Sequence, residues 1–233
     1  MSVRTPISAA KLRHHFQYSA WKYVLLVAAS VFLVDLLYTM TAYRPPEDKR
    51  IDLYIQSYVV SQETLDKALE EIRLQRLPEV ELIRSSLLMV GGTQDMYAIQ
   101  QLSTYLAAGE GDLYLLKGED FKRYASQGVF VDLSVPIEEG RLDTGSLDLS
   151  GGYVAIQEYD ETKDTMVPVS QRRLYGIPLS QVGSLSENFG IDTKDLYLSM
   201  TTFNGNDENV LRFMNILLTD NLRDFIPGEG TEP

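Results

Sequence analysis

Apolar and polar positions follow two regimes along the chain. From Tyr23 to Tyr43 the sequence reads YVLLVAASVFLVDLLYTMTAY, with Asp35 as its only charge. Past residue 50, short apolar runs alternate with segments whose apolar residues recur every three to four positions. Ile51–Val60 (IDLYIQSYVV) is rich in β-branched and aromatic residues and predicts a strand. Ser61 then suits a helix cap, Leu65, Ala68, Leu69 and Ile72 fall on one helical face, and Pro78 stops the helix. Val80–Val90 predicts a second strand. Gly91-Gly92-Thr93 turns into a second helix with Met96, Ile99, Leu102 and Leu106 inward and Gly109 at its end. Asp112–Leu116 (DLYLL) is a third strand, apolar enough for burial on both sides. Glu119–Gln127 predicts a third helix carrying Phe121 and Tyr124, and Val129–Leu133 follows it.

The later chain is more broken. Residues 134–152 are rich in Gly, Asp and Glu and predict a loop. Tyr153–Tyr159 and Thr165–Val169 flank the polar stretch 160–164, the pattern of a hairpin. Tyr175-Gly176-Ile177-Pro178-Leu179 reads as a short strand, and Asp195–Phe203 (DLYLSMTTF) as another. A last helix has Val210, Leu211, Met214, Leu217 and Leu218 on one face, and 227–233 reads as a disordered tail. Strands joined by single helices imply crossovers, hence an α/β domain with a parallel or mixed sheet covered on both faces.

The apolar run 23–43 spans roughly 32 Å as a helix, enough for a bilayer core. A soluble core helix would show a polar stripe, and Val24–Val34 shows none. A cleaved signal peptide needs a small-x-small site, which Met40 disrupts before Ala42. An uncleaved single-pass anchor fits best, with Trp21, Tyr23, Tyr38 and Tyr43 at its two ends. Asp35 costs about 3 kcal/mol near a helix centre and reads either as a carboxylate near the outer interface or as a contact with a partner membrane helix.

Charge orients the anchor. Of the net −12, residues 1–22 carry +4, Asp35 −1, and residues 44–233 carry −15. Basic residues before the helix place the N-terminus in the cytoplasm and the acidic body outside. The division is a cytoplasmic segment 1–22, an anchor 23–43, a linker 44–50, an extracytoplasmic domain 51–226 and the tail 227–233. So acidic a body does not suit nucleic acid. The chain has no Cys, and both His residues, His14 and His15, precede the anchor. This removes His-dependent triads, thiol chemistry and His-rich zinc sites from the outer part. Neither a calcium loop nor a phosphate-binding G-x-x-x-x-G-K-[ST] is present. Solvated loop charge accounts for Glu138-Glu139 and Asp160/Asp164. No enzyme and no cofactor are expected.

The block AAGEGDLYLLKGEDFKRYASQGVFVDLS, residues 107–134, resembles the extracellular solute-binding proteins of bacterial ABC transporters, of the type II periplasmic-binding-protein fold. Gly109, Asp112, Phe121, Tyr124, Ala125, Gly128, Asp132 and Leu133 follow that family's order. Tyr175-Gly176-Ile177-Pro178-Leu179 matches its Y-G-I-P strand, and NDENVLRFMNILL its late helix. The resemblance covers most of residues 51–220. It departs in one respect: about 15 residues separate Leu179 from Asp195, and a lobe needs at least about 50. The resemblance thus implies one lobe of that fold.

In open α/β sheets, ligands sit outside the carboxyl ends of the strands, near helix N-termini. That rule selects Ser57, Tyr58 and Ser61 after the first strand and Gly92, Thr93 and Gln94 after the second. After the third it selects Lys117 and Glu119, and after the Pro178 strand Ser180 and Gln181. Caps and turns favour the same residue types, so Ser61 and Thr93 also read as caps and Gly92 as a turn residue. Two functions follow. One is a membrane-anchored solute-binding-like protein that captures a small molecule or peptide for an ABC permease or sensor, as the resemblance implies. The other is a non-catalytic single-lobe interaction protein that assembles with a membrane partner.

Overall fold

The computed structural model describes residues 9–41, 43–57, 61–89, 95–160, 162–201, 205–219 and 222–226. The chain divides into two compact units, Met1–Arg44 and Pro45–Pro233.

Among its described residues, the first unit holds one helix, α1 (Ala9–Thr41). Its stretch Ala20–Thr41 has a mean hydropathy of 2.1 and is long and apolar enough to cross a membrane. Every residue of this stretch is exposed. The hydroxyls of Ser30 and Thr41 donate to the carbonyls of Leu26 at 2.8 Å and Leu37 at 2.7 Å, so both are satisfied within the helix.

The second unit is α/β. A five-stranded mixed sheet has the order β2-β1-β3-β9-β8. Its strands are β1 (Arg50–Ser57), β2 (Leu82–Met89), β3 (Leu113–Lys117), β8 (Ile177–Pro178) and β9 (Leu196–Met200). β1 is parallel to both neighbours, with Ser57 level with Met89 and Ile55 with Leu115. The expected strand residues 58–60 lie outside the described residues, as does the tail 227–233. β9 runs antiparallel to β3 and β8 antiparallel to β9. The sheet is therefore parallel only over its first three strands. No crossover helix joins β3 to β9; the chain returns through the long excursion 118–195, and nothing forces a parallel approach.

Central position explains the sequence of β1. Seven of its eight residues are buried, as expected of a strand covered on both faces. On one face, Ile51, Leu53, Ile55, Leu113, Leu115 and Leu198 pack under α2 (Gln62–Arg76), α6 (Gly183–Phe189) and α7 (Asp207–Thr219). On the other, Tyr54, Leu88, Tyr114 and Leu116 pack under α3 (Asp95–Ala108) and α4 (Gly118–Ser126). The helices α2 and α3 fall on opposite sheet faces, as right-handed crossovers in opposite directions require.

The expected inner face of α2 is buried in full. On α3, Leu102 is buried and Ile99 and Leu106 half-buried, but Met96 is 79% exposed. Ala98 takes the inward position, because it lies one turn from Leu102 and Met96 does not. Gly109 ends the helix with φ +67°. Phe121 and Tyr124 bury the inner face of α4. The final helix is apolar over a wider face than expected: Phe213 and Ile216 join Val210, Leu211, Met214 and Leu217 in the core, while Leu218 is half-buried.

Between α4 and β8, the expected loop 134–152 contains the short helix α5 (Ser134–Glu138) and a 3-10 turn at Ser150–Gly152. Beyond it stands a two-stranded ribbon. β4 (Tyr153–Val154) pairs with β7 (Arg173–Leu174), and β5 (Gln157–Asp160) pairs with β6 (Thr165–Pro168) as the expected hairpin.

Candidate functional site

The order β2-β1-β3 reverses direction at β1, so the carboxyl ends of β1 and β3 flank a topological switch point. Polar residues knit these ends together. The Gln56 side chain, 1% exposed, donates through Nε2 to Asp120 Oδ2 at 2.7 Å and accepts from the Lys117 backbone N–H at 2.8 Å. Asp120 is also buried, and its Oδ1 lies 3.2 Å from Arg123 Nη1. The Gly118 N–H donates to the Asp195 carbonyl at 3.0 Å, which ties the start of α4 to the start of β9.

The residues expected here meet different fates. Ser57 is buried at the end of β1. Tyr58, Gly92, Thr93 and Gln94 lie outside the described residues. Ser61 occupies the position before α2 but makes no side-chain cap bond. Its hydroxyl instead shares a 2.7 Å bond with Thr64 Oγ1, which takes the oxygen away from the free backbone N–H groups. Lys117 Nζ lies 3.9 Å from Asp192. Glu119 is exposed and pairs with Arg123 at 3.2 Å. Ser180 and Gln181 are exposed, and Gln181 Oε1 accepts from the Asp148 N–H at 3.0 Å. Because β9 stands between β3 and β8, these two residues lie about 10 Å, or two strand spacings, from the end of β3. The structure thus bonds Lys117 to Asp120 through Gln56, leaves Ser57 and Glu119 as chain neighbours of Gln56 and Asp120, and holds Ser180 and Gln181 apart.

Gln56 and Asp120 were not selected from the sequence, yet a signal was present. Gln56 interrupts an otherwise apolar, doubly buried strand, and a buried amide there must find partners.

A second feature lies on the flank of α4. An open cleft of about 710 Å³ separates its outer face from the base of the ribbon. Glu119, Lys122, Arg123 and Ser126 line one wall, at the spacing of one helical face. Gly151, Tyr153, Val154, Ala155, Gln157, Pro168 and Arg172 line the other. Arg172 donates from Nε at 3.1 Å and Nη2 at 2.6 Å to the Tyr153 carbonyl, which fixes the guanidinium against β4. Among the described candidates, only Glu119 borders this cleft.

Burial governs the phenols near the sheet. It pushes Tyr54 up to about 12, and it raises Tyr114, Tyr175 and Tyr197 as well. Among the described residues, no group of three or more His, Cys, Asp or Glu side chains is placed to hold a metal ion.

No family model matches the sequence, and no curated protein matches it. Among solved structures, the chain is similar to an extracellular solute-binding protein of family 1 from Alicyclobacillus acidocaldarius. That match has 18% identity and a TM-score of 0.40, and covers 58% of this chain and 28% of the other. An ABC substrate-binding protein from Listeria monocytogenes, solved with cycloalternan, matches at 22% identity and TM-score 0.36, over 55% of this chain and 28% of its own. The galacto-N-biose/lacto-N-biose I-binding protein of a Bifidobacterium longum ABC transporter matches at 17% and 0.37, over 57% and 29%. The chain therefore spans less than a third of the length of these proteins, and a likeness this partial bears on neither ligand nor partner.

Proposed function

We propose that residues 51–226 form a non-catalytic, extracytoplasmic solute-binding-like domain, held by the 23–43 anchor with the N-terminus in the cytoplasm. It captures a small molecule or peptide at the carboxyl edge of the sheet and passes it to an ABC permease or membrane sensor. The observation that carries this reading is the β2-β1-β3 order, whose reversal at β1 makes the ends of β1 and β3 the place where open α/β sheets take ligands. The sequence resemblance across 107–134 and 175–179 supports the same reading. In the sequence, Tyr58 comes directly after β1 and Gln94 between β2 and α3, while Lys117 ends β3 and Glu119 lies in the first turn of α4. The test is thermal stabilisation of the full chain in detergent against panels of sugars, amino acids and peptides. A ligand that raises Tm in the parent and not in Tyr58→Ala or Gln94→Ala supports the reading; no shift across all panels sinks it.

A second reading has its own observation. The connection from β8 to β9 holds only α6, seven residues long, so no second lobe interrupts it. A single lobe anchored by a helix with an intramembrane acid suits assembly with a membrane partner through Asp35. Co-purification from detergent tests this. A partner retained by the parent and lost in Asp35→Leu supports it, and a strictly monomeric protein indifferent to that change sinks it.

A further inference from the structure

We propose that the cleft between α4 and the ribbon binds an anionic solute, recognised through its carboxylate or phosphate groups by Lys122 and Arg172. The residues lining the cleft include three cations and one carboxylate, within a body whose residues 44–233 carry −15. Arg123 is committed to Glu119 and Asp120, each 3.2 Å away. Lys122 and Arg172 have no carboxylate partner among the described residues. Among the described residues, Arg172 is anchored only by the neutral Tyr153 carbonyl, which fixes its geometry without compensating its charge. Two uncompensated cations on opposite walls of one cleft, one from a helix and one from a ribbon, suit a ligand that bridges them with negative charge. The volume of about 710 Å³ admits an organic molecule rather than a lone ion.

Surrounding acidity sharpens selectivity. Acidic surfaces elsewhere repel anions, so a positive cleft in such a body concentrates them at one place. Glu119 borders both places, but the recognising cations Lys122 and Arg172 are not residues of the strand-end reading, and the cleft stands whether or not that reading holds.

The experiment is equilibrium titration of the full chain in neutral detergent with citrate and with glucose 6-phosphate, and with glucose as the uncharged control. Saturable binding of either anion with none of glucose is the expected result. Citrate alone would assign the carboxylate class, and glucose 6-phosphate alone the phosphate class. Lys122→Gln/Arg172→Gln should weaken binding at least tenfold. Arg172→Lys should fall between the parent and the double variant, because it keeps the charge and loses the fork. Affinity should drop as ionic strength rises. Tyr58→Ala and Gln94→Ala should leave anion affinity unchanged, which separates this site from the strand-end one. Binding of glucose as tight as that of the anions, no saturation with either anion, or unchanged affinity in the double variant would overturn the proposal. Should the double variant fail to fold, single Lys122→Gln with its salt dependence decides the matter in the same two directions.

Discussion

The amide of Gln56 and the carboxylate of Asp120 meet at 2.7 Å across 64 positions of sequence, both buried, where β1 ends and α4 begins. One side chain serves two purposes: its nitrogen satisfies a buried acid, and its oxygen receives the Lys117 N–H at the end of β3. Gln56→Leu keeps the bulk and removes both bonds. It leaves Asp120 with Arg123 as its remaining charged partner and the Lys117 N–H without its acceptor. The expected loss is about 2–4 kcal/mol, because a buried carboxylate stripped of a partner carries its desolvation cost. Urea unfolding of the full chain in mild detergent measures it. The control is Asp120→Asn, which retains hydrogen-bonding capacity and should cost less.

Gly111 gives a purely steric case. Its φ is +84°, and a Cβ there would lie 2.6 Å from one carbon of the Tyr54 ring and 3.0 Å from the Tyr114 ring. Those two rings stack at 5.0 Å with planes 11° apart, and Tyr54 is 3% exposed, so neither has room to retreat. Gly111→Ala should destabilise by about 2–4 kcal/mol, combining the left-handed penalty with overpacking. Gly109→Ala, two residues earlier in sequence, meets no atom within 4 Å and should cost only the backbone term. A comparison of the two denaturation midpoints separates strain from crowding.

Periodicity revealed the elements that make local contacts. Leu65, Ala68, Leu69 and Ile72 recur at helical spacing, and all four are buried. The apolar continuity of DLYLL announced a doubly covered strand, and β3 is one. Direction was not legible beyond the third strand, because the pairing of Leu115 with Leu198 depends on contacts more than 80 residues apart. Met96 shows the limit of period counting at a helix start, where a shift of two positions exchanges inside for outside. At the candidate site, the sequence marked Lys117 and Glu119 through the strand-end rule. It concealed the partnership of Gln56 with Asp120 and the cleft shared by Lys122 and Arg172, since both join segments remote in the chain.

Burial of phenols predicts an alkaline weakness. Tyr54 titrates near 12 in the folded chain against an ordinary value of 10.0, chiefly because burial disfavours the phenolate. The unfolded chain therefore loses this proton first as pH rises. The stability tied to neutral Tyr54 is whole below about pH 10 and is lost between pH 10 and about 12. Tyr114 shifts in the same direction for the same reason. Unfolding midpoints should fall across this window, and Tyr54→Phe should make the fall shallower. Phenolate absorption during alkaline titration gives an independent check: in the parent, part of it should appear only together with unfolding.

The anchor predicts where the protein is found. The helix offers Ala20–Thr41 to its surroundings with every residue exposed and a mean hydropathy of 2.1. Leu, Val and Phe residues favour insertion by about 0.3–0.6 kcal/mol each, against about 3 for Asp35 near the centre. The sum remains favourable, and more so because Asp35 lies closer to the Thr41 end, where a carboxylate can reach the interface. The full chain expressed in a bacterial host should stay with the membrane pellet after alkaline washing. Deleting 20–41 should release the remainder. Under the proposed orientation, protease added outside spheroplasts should digest residues 44–233 and spare the N-terminal segment, because Arg4, Lys11, Arg13 and Lys22 favour the cytoplasmic side for that end. Asp35→Leu should tighten retention if the carboxylate only tolerates lipid. If the carboxylate instead pairs with another helix, retention should be unchanged and a cross-linked partner lost. Recovery of the intact chain from the cytosol would remove the anchor and the outward orientation together.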